Sequence, residues 1–229
     1  RIDKVLLCSD YAPKTIINDL THNYGCQVFI HYGMTETGYG GGVMCQALKG
    51  YHLREGDLYF EIVDPTTGQV LGEDQYGEIV FTTLTRQAMP LIRYRTGDIG
   101  AISLADCPCG SFLKSIKTVE GRIDNRVSIG RGRYLYLREL DEIMFSYREL
   151  LDYRTYINKE GKLVIDVIAR NLEGFKANKI EIENRIQNLL LLKSGFCLSL
   201  RISIKNKDNY QHLSNSMIKR KILDFREGN

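Results

Sequence analysis

The chain alternates short apolar runs with turn-forming polar stretches, and the period of that alternation changes along its length. "KVLLC" reads as a buried strand, "SDYAPKTIINDLTHNYG" as a helix with polar caps and a terminal glycine, and "CQVFIHYG" as a second strand. Together they predict a βαβ-like unit. In "DLYFEIVDPTTGQVL" and "YGEIVFTTL", apolar and polar positions alternate around turn signals such as "DPTTG", which predicts mostly antiparallel sheet. Tyrosine and valine favour strands there. Beyond "GRIDNRVSIGRGRYLYL" the pattern predicts a helix over Leu137 to Ser146, strands over Tyr153 to Asn158 and Leu163 to Arg170 turned by "KEG", a helix over Phe175 to Leu192, and a strand over Cys197 to Ile204. That order, βαββαβ in outline, fits a small ferredoxin-like α+β domain. The expected fold class is α/β plus α+β, with a βαβ and antiparallel-sheet portion over residues 1–123 and a small C-terminal domain over residues 124–229. The boundary falls at "GRIDN", a polar stretch bearing glycine between the two patterns.

Composition narrows this picture. A chain of 229 residues, 43% hydrophobic and 26% charged, holds enough material for one large core or two modest ones, and the change of pattern favours two. No apolar run approaches the ~20 residues of a membrane-spanning helix. The opening "RIDKVLL" lacks the plan of a secretory signal, so a cytoplasmic protein that does not enter the membrane is expected. A formal charge of +3 is too small to argue for nucleic acid as a partner, although "SMIKRKILDFR" is locally basic and reads as a solvated helix. Six cysteines without a sign of export point to reduced thiols or metal ligands rather than a disulfide framework. The sequence starts partway into an apolar run and reads as a piece of a longer polypeptide.

The candidate chemistry begins at "HYGMTETGYGGG", residues 31 to 42. A glycine-rich turn after a buried strand offers backbone N–H groups to an anion, and Gly33 and its neighbours admit a bulky ligand where a Cβ would collide. Thr35 adds a hydroxyl donor, Glu36 a hard carboxylate suited to Mg²⁺, and Tyr32 a ring suited to a flat base. A glycine-rich hairpin loop is the plain alternative, and the spacing is neither that of a Walker A loop nor G-x-G-x-x-G. Separately, "CQALKGYH" supplies Cys45 and His52, and "CPCG" supplies Cys107 and Cys109. Three thiolates and one imidazole match a closed tetrahedral structural Zn²⁺ set, against free thiols in turns. Cys8 and Cys197 lie in apolar runs and read as core.

"YGMTETG", then "GQVLGEDQYGEIVFTTL", "LIRYRTGDIG" and "GRIDNRVSIGRG", in that order, resemble the adenylate-forming acyl-CoA synthetase superfamily, with its phenylacetate-CoA ligase branch the nearest likeness. The resemblance implies an enzyme that joins a carboxylic acid to AMP using ATP, releases pyrophosphate, and passes the acyl group to the thiol of coenzyme A. By the same resemblance Tyr32 packs on adenine, Thr35 contacts phosphate, Glu36 binds Mg²⁺, and Asp98 binds the ribose hydroxyls. Arg122 contacts the ribose or phosphate, and Asp124 lies at the hinge of the small domain. Arg131 and Arg133 of "IGRGRY" meet coenzyme A phosphates or its pantetheine tunnel, with solvated arginines on a turn as the alternative. The family's adenylation lysine follows a glycine that "SNSMIKRKILD" lacks, so Lys219 is its counterpart unless a stricter alignment, which puts Met217 there, holds. "CSDYAP" replaces the family's adenine-side turn, leaving Ser9 and Asp10 beside the adenine by position only. The family's Ser/Thr/Gly phosphate loop precedes residue 1, so this piece alone is expected to turn over nothing. The resemblance also raises the Cys-His metal reading, suggests an aromatic acid bordered by Tyr39, and suggests a homodimer. An adenylating enzyme with a non-CoA acceptor and a non-catalytic nucleotide-binding module stay open as alternatives.

Overall fold

The first apolar run forms β1 (Lys4–Leu7), and the run after the helix forms β2 (Gln27–Tyr32), paired in parallel from Lys4↔Gln27 to Leu7↔Ile30. Between them α1 (Lys14–Tyr24) starts after Pro13 and ends on Gly25, whose left-handed backbone (φ 66°) lets its N–H donate to the Thr21 carbonyl. A crossover helix of this kind is what parallel neighbours require. The structure, a computed structural model, describes residues 2–8, 11–103, 105–195, 198–205 and 220–226. The chain divides into two compact units, Arg1–Asp124 and Asn125–Asn229.

In the first unit β3 (Gly42–Val43), β4 (Tyr51–Leu53), β5 (Leu58–Val63), β6 (Gly77–Thr83), β7 (Tyr94–Ser103) and β8 (Ser115–Arg122) join β1 and β2 in one sheet. Its order is β1-β2-β3-β4-β8-β7-β6-β5, and every pairing except β1–β2 is antiparallel. The "DPTTG" turn between β5 and the chain leading to β6 closes on Asp64, whose Oδ1 accepts the N–H groups of Thr66 and Thr67 at 2.9 and 2.7 Å. Leu53, Leu58, Phe60, Ile79, Phe81 and Ile116 fill the core behind these strands, with the Phe60 and Phe81 rings tilted 6.1 Å apart.

The second unit opens with a ribbon of β9 (Arg126–Gly130) and β10 (Arg133–Tyr136), followed by α2 (Leu137–Met144), β11 (Leu150–Ile157), β12 (Leu163–Ala169), α3 (Leu172–Ser194), β13 (Leu200–Ile204) and β14 (Ile222–Asp224). The four-stranded sheet runs β13-β12-β11-β14. The unit is α+β in the expected order, but the strand ahead of α2 stays out of that sheet. At Arg131 (φ 52°) and Gly132 (φ 69°) the chain turns back, so β9 spends its hydrogen bonds on β10, and β14 takes the open edge beside β11. Two elements begin earlier than the pattern indicates. The Asn171 side chain accepts the Gly174 N–H at 3.1 Å, which starts α3 at Leu172. The turn closed by Leu150 N–H to the Tyr147 carbonyl starts β11 at Leu150. β13 starts at Leu200, and Cys197 lies outside the described residues. Among the described residues no helix is long and apolar enough to cross a membrane.

Phe175 is fully buried on α3 in the core of the second unit. Phe175→Ala is expected to cost about 3–5 kcal/mol, read as a lower urea midpoint at unchanged slope. A loss under about 1 kcal/mol would mean that the helix does not seal this core.

Candidate functional site

The residues that carry the motif order meet around Asp98. β2 ends on Tyr32, which is buried, with its ring packed toward Tyr51 and its hydroxyl donating to Asp98 Oδ2 at 3.0 Å. Asp98 is itself 8% exposed on β7, directly across the ladder from Arg122 on β8. Arg122 Nε lies 3.8 Å from Asp98 Oδ1, and its Nη2 donates to the Thr96 carbonyl at 2.9 Å. Tyr94, at the start of β7, lies near enough to the Glu36 carboxylate to feel its charge, along with those of Arg122 and Asp98. Tyr32, Glu36, Asp98 and Arg122 therefore share one neighbourhood, although ninety positions separate the first from the last. Burial first, and then the Asp98 charge, hold the Tyr32 hydroxyl well above the ordinary tyrosine range. Burial followed by the Glu36 carboxylate raises that of Tyr94.

Thr35 and Glu36 lie in a single 3-10 turn, Thr35–Thr37, with Thr35 exposed and Glu36 half-buried. Thr37 locks that turn, because its Oγ1 donates to the Met34 carbonyl at 2.7 Å and accepts the Met34 N–H at 3.1 Å. Arg54 adds a bond from Nη2 to the Thr37 carbonyl at 2.7 Å. The glycines next to this turn have a close neighbour within the protein. A Cβ on Gly40 (φ 99°) would lie 1.8 Å from His31 Nε2, and one on Gly33 would lie 2.9 Å from His31 Cε1. The imidazole of His31 thus passes against this loop where the sequence reading places a ligand.

The second cluster joins Cys45, after β3, His52 in β4, and Cys107 and Cys109 in the loop between β7 and β8. Their ligand atoms all lie within 4.8 Å of one another. Cys45 Sγ is 3.5 Å from Cys107 Sγ, and Cys109 Sγ is 3.4 Å from His52 Nε2. A tetrahedral Zn²⁺ with bonds of about 2.0–2.3 Å sets its ligand atoms roughly 3.3–3.8 Å apart, so the set fits. His52 Nδ1 is 3.1 Å from the Leu113 carbonyl, which fits an Nδ1–H donor and leaves Nε2 as the metal-facing nitrogen. The Ser111 backbone N–H, followed by the Cys107 thiol, holds the Cys109 thiol below its ordinary range.

The other predicted residues are placed elsewhere. Asp124 is exposed in a 3-10 turn, Ile123–Asn125, just past β8. Arg131 is exposed at the ribbon turn of the second unit. Ser9, Asp10, Met217 and Lys219 lie outside the described residues. Tyr94 and Thr96 belong to the same neighbourhood and were not singled out from the sequence. Their signal is position inside "YRTGD", where a phenol and a hydroxyl flank the arginine, but only the strand register shows what they face.

No protein-family model matches the chain. Over 136 residues, 58% of this chain, it is 35% identical to a phenylacetate-coenzyme A ligase of Thermus thermophilus and 36% identical to one of Aromatoleum evansii. Each match covers 30% of the relative, so the chain spans about a third of the length of the curated relatives it matches. Its fold matches 96% of the chain to 48% of a 2-hydroxyisobutyryl-CoA ligase bound to its acyl-adenylate, at TM-score 0.76 and 21% identity. An anthranilate CoA ligase in complex with anthranoyl-AMP matches at TM-score 0.61 and 13% identity, covering 88% of this chain and 40% of that one. The chain resembles the phenylacetate-CoA ligase-like branch of the adenylate-forming acyl-CoA synthetases in sequence, and that superfamily in fold.

A pH dependence follows from Tyr32 and from Tyr153, whose hydroxyl donates to the buried Asp141 at 2.6 Å. Burial first, then a neighbouring carboxylate, raises both above the unfolded value near 10. The folded state binds these two protons more tightly, so their stabilisation is fully present below pH ~10 and is lost as pH climbs beyond it. Stability by urea titration is expected to fall above pH ~10, less steeply in Tyr32→Phe. Equal alkaline slopes in the two proteins would contradict the assignment.

Proposed function

We propose that the chain is the C-terminal part of an AMP-forming carboxylate–CoA ligase of the phenylacetate-CoA ligase-like branch. The observation that carries this reading is the Tyr32–Asp98–Arg122 arrangement, with Glu36 near Tyr94 beside it, in a chain whose curated relatives are phenylacetate-CoA ligases. In this reading the Asp98 carboxylate accepts the two hydroxyls of a ribose cis-diol, for which two charge-assisted hydrogen bonds to one group are well suited. Tyr32, buried below it, orients that carboxylate through its hydroxyl. Thr35 donates to phosphate, and Arg122 offsets charge that builds on the α-phosphate.

Glu36, a half-buried carboxylate near Tyr94, would be the residue that holds a Mg²⁺ ion, for which a carboxylate oxygen is a suitable hard ligand. When bound, that ion supplies charge neutralisation between the two anions that must meet. The substrate carboxylate oxygen attacks the α-phosphorus and pyrophosphate leaves. The coenzyme A thiolate then attacks the acyl carbonyl and AMP leaves. Lys219 assists the first step, and the second unit rearranges about Asp124 between the two steps. Arg131 meets coenzyme A. The curated relatives, phenylacetate-coenzyme A ligases, support an aromatic acid, and the reaction belongs to the cytoplasm. Cys45, His52, Cys107 and Cys109 would hold a structural Zn²⁺, which would brace the segments that carry them.

The test uses a complete ligase carrying this sequence and a panel of carboxylic acids, with pyrophosphate and acyl-CoA measured separately. Both products are expected from an aromatic acid, with Glu36→Gln lowering kcat by on the order of 10²-fold. Pyrophosphate without thioester would mean a different acceptor, and neither product would mean a nucleotide-binding module. For the metal, elemental analysis of protein purified without chelator is expected to give about one zinc per chain, falling with His52→Ala. Less than about half an equivalent would overturn the zinc assignment.

A further inference from the structure

β6 and β7 fall out of step where the site is made. Glu78 pairs with Ile99 and Val80 with Arg95, so Thr96, Gly97 and Asp98 stand opposite Ile79 alone. A bulge of this kind deprives backbone groups of their strand partners, and buried groups must find others. Two side chains supply them. Thr96 Oγ1 donates to the Ile79 carbonyl at 2.7 Å and accepts the Asp98 N–H at 3.0 Å. Glu78 Oε1 accepts the Gly97 N–H at 3.0 Å, with Gly97 in the left-handed region at φ 75°.

The other carboxylate oxygen of Glu78 accepts from Arg95 Nε at 2.8 Å and from Arg95 Nη2, and Nη2 also donates to the Pro65 carbonyl at 2.6 Å. Glu78 is 3% exposed, among the most buried of the charged side chains described. A carboxylate that dry persists only where charged or directional donors hold it, and here both kinds do. Its contact with the site runs through the Thr96–Gly97 peptide, one peptide ahead of the one that carries the Asp98 N–H, which Thr96 Oγ1 accepts. By fixing the Gly97 backbone it sets the direction in which the next residue, Asp98, extends its carboxylate toward the Tyr32 hydroxyl and the Arg122 guanidinium.

We propose that Glu78 is a positioning residue for the nucleotide sugar: by holding the Gly97 N–H it aims the Asp98 carboxylate, and so sets the preference for a ribose cis-diol over a deoxyribose. This rests on the reading that Asp98 binds the ribose. Glu78→Gln keeps the shape and an acceptor for Gly97, but presents an amide to Arg95 in place of a charge. The expected result is a bulge that samples other directions and a carboxylate that no longer meets both hydroxyls.

The experiment measures kcat and KM for ATP, 2′-deoxy-ATP and 3′-deoxy-ATP in the acid-dependent release of pyrophosphate by the complete ligase. The wild type is expected to favour ATP by on the order of 10²-fold in kcat/KM, and Asp98→Asn to remove most of that preference. Glu78→Gln is expected to lower the preference about tenfold, mainly through KM for ATP, with Arg95→Lys shifting it the same way by less. Phe60→Leu, which loosens the core behind the same strands, is expected to leave the ratio at the wild-type value. If Asp98→Asn leaves the ratio unchanged, or the wild type does not discriminate, the ribose reading fails and this inference with it. If Asp98→Asn abolishes the preference while folded Glu78→Gln and Arg95→Lys retain it, the positioning role alone is overturned. Should Glu78→Gln not fold, Arg95→Lys decides by the same ratio.

Discussion

A carboxylate at the exposure of Asp98 keeps its charge only if donors surround it, because desolvation otherwise favours the protonated form. Tyr32 and Arg122 meet that requirement from two strands on the same side of β7 in the sheet order, the distant β2 and the adjacent β8. They are separated in sequence, so the requirement ties the βαβ part of the first unit to its antiparallel part. Tyr32 in turn belongs to the core cluster with Leu53, Phe60 and Phe81, so the ring that joins the core also carries the hydroxyl that meets Asp98. A shift of one residue in the β7–β8 register would send Asp98 to the other face and leave Arg122 without its partner.

The βαβ unit was legible because its signals are local. Gly25 ends α1, and an apolar run lies on either side; both runs form strands, but β1, expected to be buried, has no buried residue and leaves Leu6 exposed. The antiparallel region was legible for the same reason, with "DPTTG" closing on Asp64 as an Asx turn. The ribbon of β9 and β10 was not, since which partner a strand recruits depends on the Arg131–Gly132 turn and on a β14 far along the chain. At the site, the ordered motifs pointed to Glu36, Asp98 and Arg122, and these three do come together. The roles of Tyr94, Thr96 and Glu78 depend on the bulge opposite Ile79, which no local pattern encodes. The glycine run shows a different limit. It signals that something passes close to the backbone, and within the protein His31 does so at Gly40, and His31 together with the Gly40 backbone at Gly33.

The joint between the two halves of the eight-stranded sheet is its thinnest part. β3 has two residues and β4 three, and the pairs Gly42↔Leu53, Val43↔His52, Tyr51↔Ile116 and His52↔Ser115, extended by the Leu53 N–H to the Lys114 carbonyl and the Arg54 N–H to the Gly41 carbonyl, tie β3 and β4 to each other and to the β8 side. Strands that short contribute few ladder bonds and little cross-strand packing. The four side chains of the Cys-His cluster come from this place: Cys45 just past β3, His52 within β4, and Cys107 and Cys109 in the loop that leads into β8. Leu113, whose carbonyl meets His52 Nδ1, sits in that same loop. A metal held there would join segments 62 positions apart, Cys45 to Cys107, across the seam that hydrogen bonds hold least. Closing so long a loop by backbone pairing alone carries an entropic cost that a few ladder bonds barely offset, whereas four metal–ligand bonds offset it comfortably. The seam also leads directly to the site, since β3 continues back through the glycine loop to Glu36. A metal at the cluster would thus brace the segment that leads back to Glu36, while the turn that carries Glu36 is itself locked by Thr37 and Arg54.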